Sequence, residues 1–507
     1  MSQLKRGVLL SYLNIFLTNV LGLLITPFMV HRLGNSEYGL YMLVGSLISY
    51  IGILDFGLSS TIIRFVAKHR AEKRKKEEEN FLATVMLIYT IISAIIVLSG
   101  IAIYFNLGSI FKKLSIAELH EVRIMFAILI LNLAVTLPGG VFTGICSAYE
   151  QFVFPNALSI LKYIVRSFIL VIILLSGGTV ISIVVLDTIV NLITIFLSMY
   201  YVFTKLDVVF KLHKFQKSIV IQIFSFSVWI FIFSLVSQFQ WRSGQIILGI
   251  VSGATAVAIY GVGIMLGSYY GVFSTAISDV FLPRATTMIV SSATNHELTS
   301  MMIRIGRFSL IFLLMILGGF VLYGDQFVNL WLGPTYHDSW IIALIIMLTY
   351  TVPLVQSFAN SVLEAKNKFA FKAKTYIILI VAGTCLGYYL VRYFGTIGII
   401  IGTSAGWLSS QIILNIYYQK VIKLEILRFF KELFNRLLLV FLLVLVIGYA
   451  FNYIPGNNWA IFSIKVSLYL AVFFSLMFYY GLNIYEIKMF KELIPVFSNR
   501  NRHDLPE

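Results

Sequence analysis

Charge is what this sequence has least of. Asp, Glu, Lys and Arg make up 12% of its 507 residues, against about 25% in soluble domains. So few charges cannot cover a water-exposed surface. Acids are the scarcer sign, 22 against 38 bases, for a net charge of +16. Cysteine is nearly absent as well. Cys146 and Cys385 both fall in apolar stretches; they give no disulfide framework and no zinc spacing, and read as buried spectators. The seven histidines sit in loops or at helix ends, and no two stand at metal-ligand spacing. There is no P-loop, no G-x-S-x-G, and no carboxylate pair in a long external loop. These absences argue against an ATP-driven pump and leave an enzyme without a visible active site. Neither cofactor nor metal is expected.

What is present is apolar. Hydrophobic residues form 59% of the chain, above the roughly 45–50% of soluble proteins, and they come in long runs. A helix needs about 20 apolar residues to span a bilayer. About fourteen segments meet that template, from 8–30 and 39–62 at the start to 435–454 and 461–484 at the end, with weak boundaries at 239–256 and 452–462. The start, MSQLKRGVLL, has a basic tip, but its apolar run continues to about Val30 with no A-x-A-like site after it. It reads as an uncleaved first span. Lys and Arg crowd the loops of one side. With the N-terminus in the cytoplasm, the external side holds Arg32, Lys112, Lys113, Arg123, Arg242, Arg392 and Lys465, while Arg64, Lys162 and Arg166 lie within or bordering the membrane. The rest of the 38 bases are cytoplasmic. That asymmetry explains the net charge without nucleic acid and puts both termini in the cytoplasm. KHRAEKRKKEEE, residues 68–79, is then a cytoplasmic loop that fixes topology. The longest external loops, near 105–120 and 324–338, are about 15 residues, too short for a folded domain. Trp331 and Tyr336 suit the second to the headgroup belt.

The chain also repeats itself. SAYEQFVF at 147–154 matches EAKNKFAF at 364–371 through Ala148/Ala365, Phe152/Phe369 and Phe154/Phe371, an offset of 217 that also aligns Gly178-Thr179-Val180 with Gly395-Thr396-Ile397. LGNSEYGLYML at 33–43 resembles TAVAIYGVGIM at 255–265, and an offset of 220 pairs Arg64 with Arg284. The offset covers six spans, an even number, so both halves enter from the same side. The expected fold is an all-α integral membrane protein with two six-helix lobes, 1–210 and 211–420, related by a pseudo-two-fold along the membrane normal. Residues 421–507 would add two further helices and a tail.

A charge facing lipid at mid-depth costs at least about 2.5–3.5 kcal/mol. Charges inside spans are therefore expected to face the bundle interior or a water-filled cavity. Asp55 lies well inside the second span; Arg64 is about 13 Å further along a straight helix and on the opposite side. Asp55 needs a partner, a proton or water, whereas Arg64 near the cytoplasmic end can snorkel. LSILKYIVRSF places Lys162 and Arg166 at i and i+4 on one face of the fifth span, with Arg166 about 15 Å deep. Two like charges on one face require an anion. Two readings stay open. Asp187 on the sixth span pairs with Arg166 while Lys162 snorkels, or the two cations line a cavity that receives an anionic substrate. Arg64 and Arg284 are either positive-inside anchors or a pair at the cytoplasmic mouth able to grip a phosphate. Pro27, Pro138 and Pro353 imply kinks.

LGNSEYGLYMLVGSLISYIGILDFGLSSTIIRFVAKHR (33–70) resembles the start of bacterial polysaccharide flippases, the Wzx-type transporters of lipid-linked oligosaccharides. Their superfamily also holds multidrug/toxin extruders and the lipid II flippase. The likeness continues through 224–263, FLPRAT (281–286) and FVNLWLGPTY (327–336), and covers about the first 420 residues. YG-x-Y, LD-x-GL and W-x-G are its signatures. Many relatives carry an aspartate near the place of Gly244 in WRSGQIILG, so no ion-coupling role is carried to that position. The resemblance implies two lobes around a central cationic cavity working by alternating access. Undecaprenyl-diphosphate-linked oligosaccharide, for O-antigen, capsule or another exported glycan, would cross from the cytoplasmic to the external leaflet of the bacterial cytoplasmic membrane. Its diphosphate would meet Lys162, Arg166, Arg64 and Arg284. Asp55 and Asp187 would be the acidic groups of the cavity, open to coupling with an H⁺ or Na⁺ gradient. Expected partners are the lipid-linked oligosaccharide, membrane lipids, the coupling ion, and polymerase and glycan-assembly proteins. A multidrug extruder is the near alternative, but exporting cations would want more acids and fewer bases in the cavity. A membrane-embedded polymerase would show a long external loop with catalytic Arg or His, and an acyltransferase a deep His.

Overall fold

The computed structural model describes residues 3–214, 217–366, 368–483 and 486–487. Within these, side chains are described except at 273–284 and at some positions of 4–8 and 218–230. Every regular element among them is helical. Lipid offers no partners to N–H and C=O groups, so each span must satisfy its own backbone. The helices are α1 Gln3–Ile51, α2 Leu58–Ala71, α3 Lys75–Ile110, α4 Ile116–Ala148, α5 Val153–Leu175, α6 Val180–Lys205, α7 Lys217–Trp241, α8 Ser243–Val251, α9 Ala254–Val290, α10 Asn295–Leu332, α11 His337–Val355, α12 Ser357–Ala365, α13 Phe369–Tyr417, α14 Ile426–Phe434, α15 Leu437–Ala450 and α16 Trp459–Leu476. They form two compact units, Met1–Gly261 with Ile380–Thr403, and Val262–Leu379 with Ser404–Glu507.

Among the described residues, eleven helical stretches are long and apolar enough to cross a membrane. Leu9–Ala71 and Phe369–Ile422 have 63 and 54 residues, length for two passages each at about 20 residues per passage. Both contain a break, at Gly34 (φ 82°) in α1 and at Gly395 (φ 55°) in α13, positions where a Cβ would be strained. With α7, 25 residues long, this accommodates the expected fourteen.

The helices run further than the apolar template does, and the loops shrink. KHRAEKRKKEEE is not a loop but the end of α2 and the start of α3, joined by a tight turn at 72–74 with Lys73 at φ 56°. Lys68, His69 and Arg70 close α2 while Glu77 and Glu78 open α3, each sign at the helix end whose dipole favours it. The 105–120 loop contracts to 111–115, because Ser115 and Glu118 form a capping box that starts α4 early. The 324–338 loop contracts to Gly333 and a single turn at Pro334–Tyr336. Trp331 and Tyr336 turn inward, 7% and 0% exposed, with Trp331 stacked on Phe327 at 5.3 Å. α9 runs through Pro283 to Val290, although a proline so near the end of an apolar run reads in sequence as a helix end; membrane helices tolerate proline when neighbours re-satisfy the freed carbonyl. Cys146 is buried but Cys385 is exposed, so only the first is a core residue.

Unit 1 packs Leu40, Leu43 and Val44 of α1 and Ile62 and Val66 of α2 inward, all fully buried, while Leu98, Phe105 and Phe168 point outward. Apolar residues on the outer face are what a lipid solvent selects. In unit 2, Gly263, Gly267 and Gly271 of α9 form a seam against Ile342, Ile346 and Tyr350 of α11. A Cβ on any of the three would stand 2.6 or 2.7 Å from the facing side chain. Small residues every fourth position let membrane helices approach closely. The repeat has a structural echo. Phe154 stacks on Tyr201 at 3.9 Å in unit 1, and Phe371 on Tyr417 at 4.0 Å in unit 2.

Unit 2 also buries an ion pair. Arg307 of α10 and Glu486 meet at 2.6 Å, with side chains 7% and 4% exposed. The same guanidinium donates to the carbonyls of Glu432, in the last turn of α14, and Asn435, just after it, at 2.8 and 3.0 Å. It reaches the Gly481 carbonyl after α16 at 3.2 Å.

Candidate functional site

α5 and α6 lie side by side in unit 1, and their polar residues meet in register. Lys162 and Arg166 are one turn apart on α5; Asp187 and Asn191 are one turn apart on α6. Arg166 takes Asp187, with Nε to Oδ1 at 2.6 Å and the Nη2 atom to Oδ2 at 3.0 Å. Lys162 donates to Asn191 Oδ1 at 3.0 Å. Arg166 falls just past the middle of its 23-residue helix, a depth where a charge must have a partner.

Around this double rung stands a polar shell. The Tyr41 hydroxyl of α1 donates to Asp187 Oδ2 at 3.0 Å and accepts from Arg166 at 3.2 Å. Asn191 donates to Asn132 Oδ1 at 2.9 Å and to the Thr136 hydroxyl at 2.6 Å, both on α4. Arg242, between α7 and α8, lies within electrostatic reach of Tyr41. The cluster is open: Arg166 and Asp187 are 20% and 21% exposed. Among the described residues, Lys162 and Arg166 share the one carboxylate of Asp187, so the pair of rungs is cationic. Chemically it can hold an anion with two or more oxygens, by a guanidinium fork and a neighbouring ammonium.

Asp187 does pair with Arg166, but Lys162 does not reach for the membrane edge. It stays in the span on a neutral amide. Asp55 stands apart from this cluster, and its helix is not straight. Gly52–Asp55 is a 3-10 turn, Phe56 and Gly57 are left-handed at φ 51° and 69°, and α2 begins at Leu58. Asp55 accepts from the Tyr89 hydroxyl at 2.8 Å and from the Gly57 N–H. The carboxylate thus sits where the broken helix leaves backbone donors to satisfy. Arg64 is exposed on α2. The Arg284 side chain lies outside the described residues, and the expected Arg64–Arg284 pair lies outside them with it. At Gly244 a Cβ would stand 2.4 Å from the ring of buried Tyr260, which leaves no room for an acid.

Tyr41, Asn132, Thr136 and Asn191 were not singled out from the sequence. Asn191 had a signal: it follows Asp187 by the same four residues that separate Lys162 from Arg166. Antiparallel neighbours with matched spacing pair rung by rung. Tyr41 had none, because it comes from a helix remote in sequence.

Comparison with known proteins places the chain. Residues 4–289 match the model of a family described as polysaccharide biosynthesis protein. A Shigella flexneri protein named for O-antigen transport is 21% identical over 399 residues, 78% of this chain and 92% of that protein. The solved lipid II flippase MurJ, in an inward closed conformation, has the same fold: TM-score 0.72 at 16% identity, over 92% of this chain and 98% of that one. An inward-facing multidrug transporter of the MATE family matches with TM-score 0.63 at 14% identity, over 82% and 99%. These relatives are transporters rather than enzymes, and the chain is a multi-pass membrane protein like them. It belongs to the polysaccharide biosynthesis protein family.

Proposed function

We propose that the protein is a flippase. It carries an undecaprenyl-diphosphate-linked oligosaccharide from the cytoplasmic to the external leaflet of a bacterial cytoplasmic membrane, by alternating access. Both termini lie in the cytoplasm, and the lobes are 1–210 and 211–420. The observation that carries this reading is Lys162, an ammonium kept inside a span on a neutral amide one turn from a guanidinium. A cation held there at a cost of several kcal/mol fits an anionic cargo, and the diphosphate supplies the anion. Family membership and the MurJ-like fold support the lipid-linked saccharide as the rest of that cargo. An extruder of organic cations shares the fold, but the excess of bases around Arg166 disfavours its cargo. Arg64 and Arg284 are further ligands for the diphosphate. Asp55 or Asp187 couples the movement to an H⁺ or Na⁺ gradient, and glycan-assembly proteins and a polymerase act before and after it.

The test uses purified protein in liposomes and a labelled polyprenyl-diphosphate oligosaccharide. Wild type should move the label between leaflets, and the Lys162→Ala/Arg166→Ala double variant should lose at least about tenfold of that rate while remaining folded, equivalent to about 1.4 kcal/mol. Movement that survives the double substitution refutes the site. Absence of movement in the wild type, with several glycans, refutes the function.

A further inference from the structure

Arg166 is already occupied, and the occupant has the shape of the proposed cargo's headgroup. Asp187 holds the guanidinium by two near-parallel bonds, 2.6 and 3.0 Å, the arrangement two oxygens of a phosphate also make with arginine. We propose that Asp187 is an exchangeable internal anion. It fills the phosphate position on Arg166 when the site is unloaded, leaves when the diphosphate arrives, and returns to help expel it. The proposal rests on the flippase reading above and adds the step by which the bound headgroup is released.

Three features separate this arrangement from a pair that merely holds helices together. First, the pair is accessible, with about a fifth of each side chain exposed, so an anion can reach the guanidinium without unfolding the site. Second, the carboxylate does not balance its surroundings. Lys162 lies within electrostatic reach of both Arg166 and Asp187, and among the described residues its hydrogen-bond partner is the neutral Asn191. One negative charge between two positive ones leaves an excess that a diphosphate, with more than one charge, meets better. Third, Tyr41 suits either anion. Its hydroxyl donates to Asp187 Oδ2 and accepts from Arg166, and it can give the same proton to a phosphate oxygen while keeping its bond from arginine. Asp187 is tethered one helix away, so its effective concentration at Arg166 stays high. A free diphosphate has to compete with it, and the competition weakens binding enough for the cargo to leave. The exchange moves no covalent bond.

The experiment compares wild type, Asp187→Asn and Arg166→Gln, full length in lipid nanodiscs and liposomes. The probe is polyprenyl-diphosphate N-acetylglucosamine, with inorganic pyrophosphate as soluble competitor. With its competitor removed, Asp187→Asn should bind the probe at least about fivefold tighter and move it more slowly by a similar factor. Arg166→Gln should lose binding. Equal or weaker binding by folded Asp187→Asn, with wild type and Arg166→Gln behaving as expected, overturns the exchange and leaves the flippase reading intact. Failure of the wild type to bind or move the probe overturns the flippase reading first. Should Asp187→Asn not fold, infrared difference spectra of ¹³C-aspartate-labelled wild type decide the matter, with the band assigned by Asp187→Glu. A shift of the Asp187 carboxylate stretch on adding probe supports exchange; an unchanged band overturns it.

Discussion

The Arg307–Glu486 pair should be the strongest single polar contribution to the stability of unit 2. Arg307 donates from Nε and both terminal nitrogens: to both oxygens of Glu486, at 2.6 and 3.2 Å, and to carbonyls of Glu432, Asn435 and Gly481 between 2.8 and 3.2 Å. Removing the guanidinium leaves a carboxylate and at least three carbonyls without this partner. Hydrogen bonds to a charged group are worth about 1.5–3 kcal/mol each, so a simple sum overshoots. Glu486 can take a proton and water can enter, and breaking one side of a buried pair costs about 3–5 kcal/mol in practice. Arg307→Met and Glu486→Gln should each fall in that range. The double variant should cost clearly less than the two together, because neutral groups replace both charges. Reversible unfolding of the reconstituted protein in a denaturing detergent series reads all four corners of the cycle. Single variants within about 0.5 kcal/mol of wild type, or strictly additive costs, would show that the pair is replaceable by water and that the reasoning fails.

Other contacts give smaller expectations. Gly267→Val places a side chain where even a Cβ would stand 2.7 Å from Ile346; overpacking should cost about 1–3 kcal/mol, and the additional Ile346→Ala change should recover part of it. Tyr89→Phe strips Asp55 of its 2.8 Å donor in a fully buried position and should cost about 1–3 kcal/mol by the same unfolding assay. Glu425, outside the spans, is held below the usual carboxylate range first by its hydrogen bond from Arg428. A depressed native pKa means a contribution present at neutral pH and lost as pH falls below the ordinary carboxylate value. The acid limb of the stability curve should therefore flatten in Arg428→Gln, and an unchanged limb would contradict the assignment.

The fold was readable because the lipid solvent makes hydrophobic length nearly sufficient: a run of about 20 apolar residues has one structural outcome. The loop lengths were not readable by that rule. Charged residues at 68–79 and 115–118 lie beyond the apolar template yet prolong helices, through dipole-matched ends and a capping box. The α5 cations were legible as a pair from their spacing, and Asp187 as one partner. The break at Asp55 was not, since LDFG reads as continuous helix until Phe56 and Gly57 are found left-handed.

The hardest distinction lies between two arginines. Arg166 and Arg307 both sit in long apolar helices, and both hold a carboxylate at 2.6 Å. From the sequence Arg166 stands open between an internal pair with Asp187 and a cavity ligand, while Arg307 only counts among the cytoplasmic bases. Their surroundings give a better criterion. Arg307 and its partner are 7% and 4% exposed, and backbone carbonyls take up the remaining donors. Nothing is left for a ligand to bind, so that pair is structural. Arg166 and Asp187 are 20% and 21% exposed, their shared hydroxyl can serve another anion, and a second cation lies one turn away without a carboxylate of its own. An intramembrane ion pair that leaves charge uncompensated and is partly exposed suits the transport role proposed for Arg166; a saturated, sealed pair fastens helices.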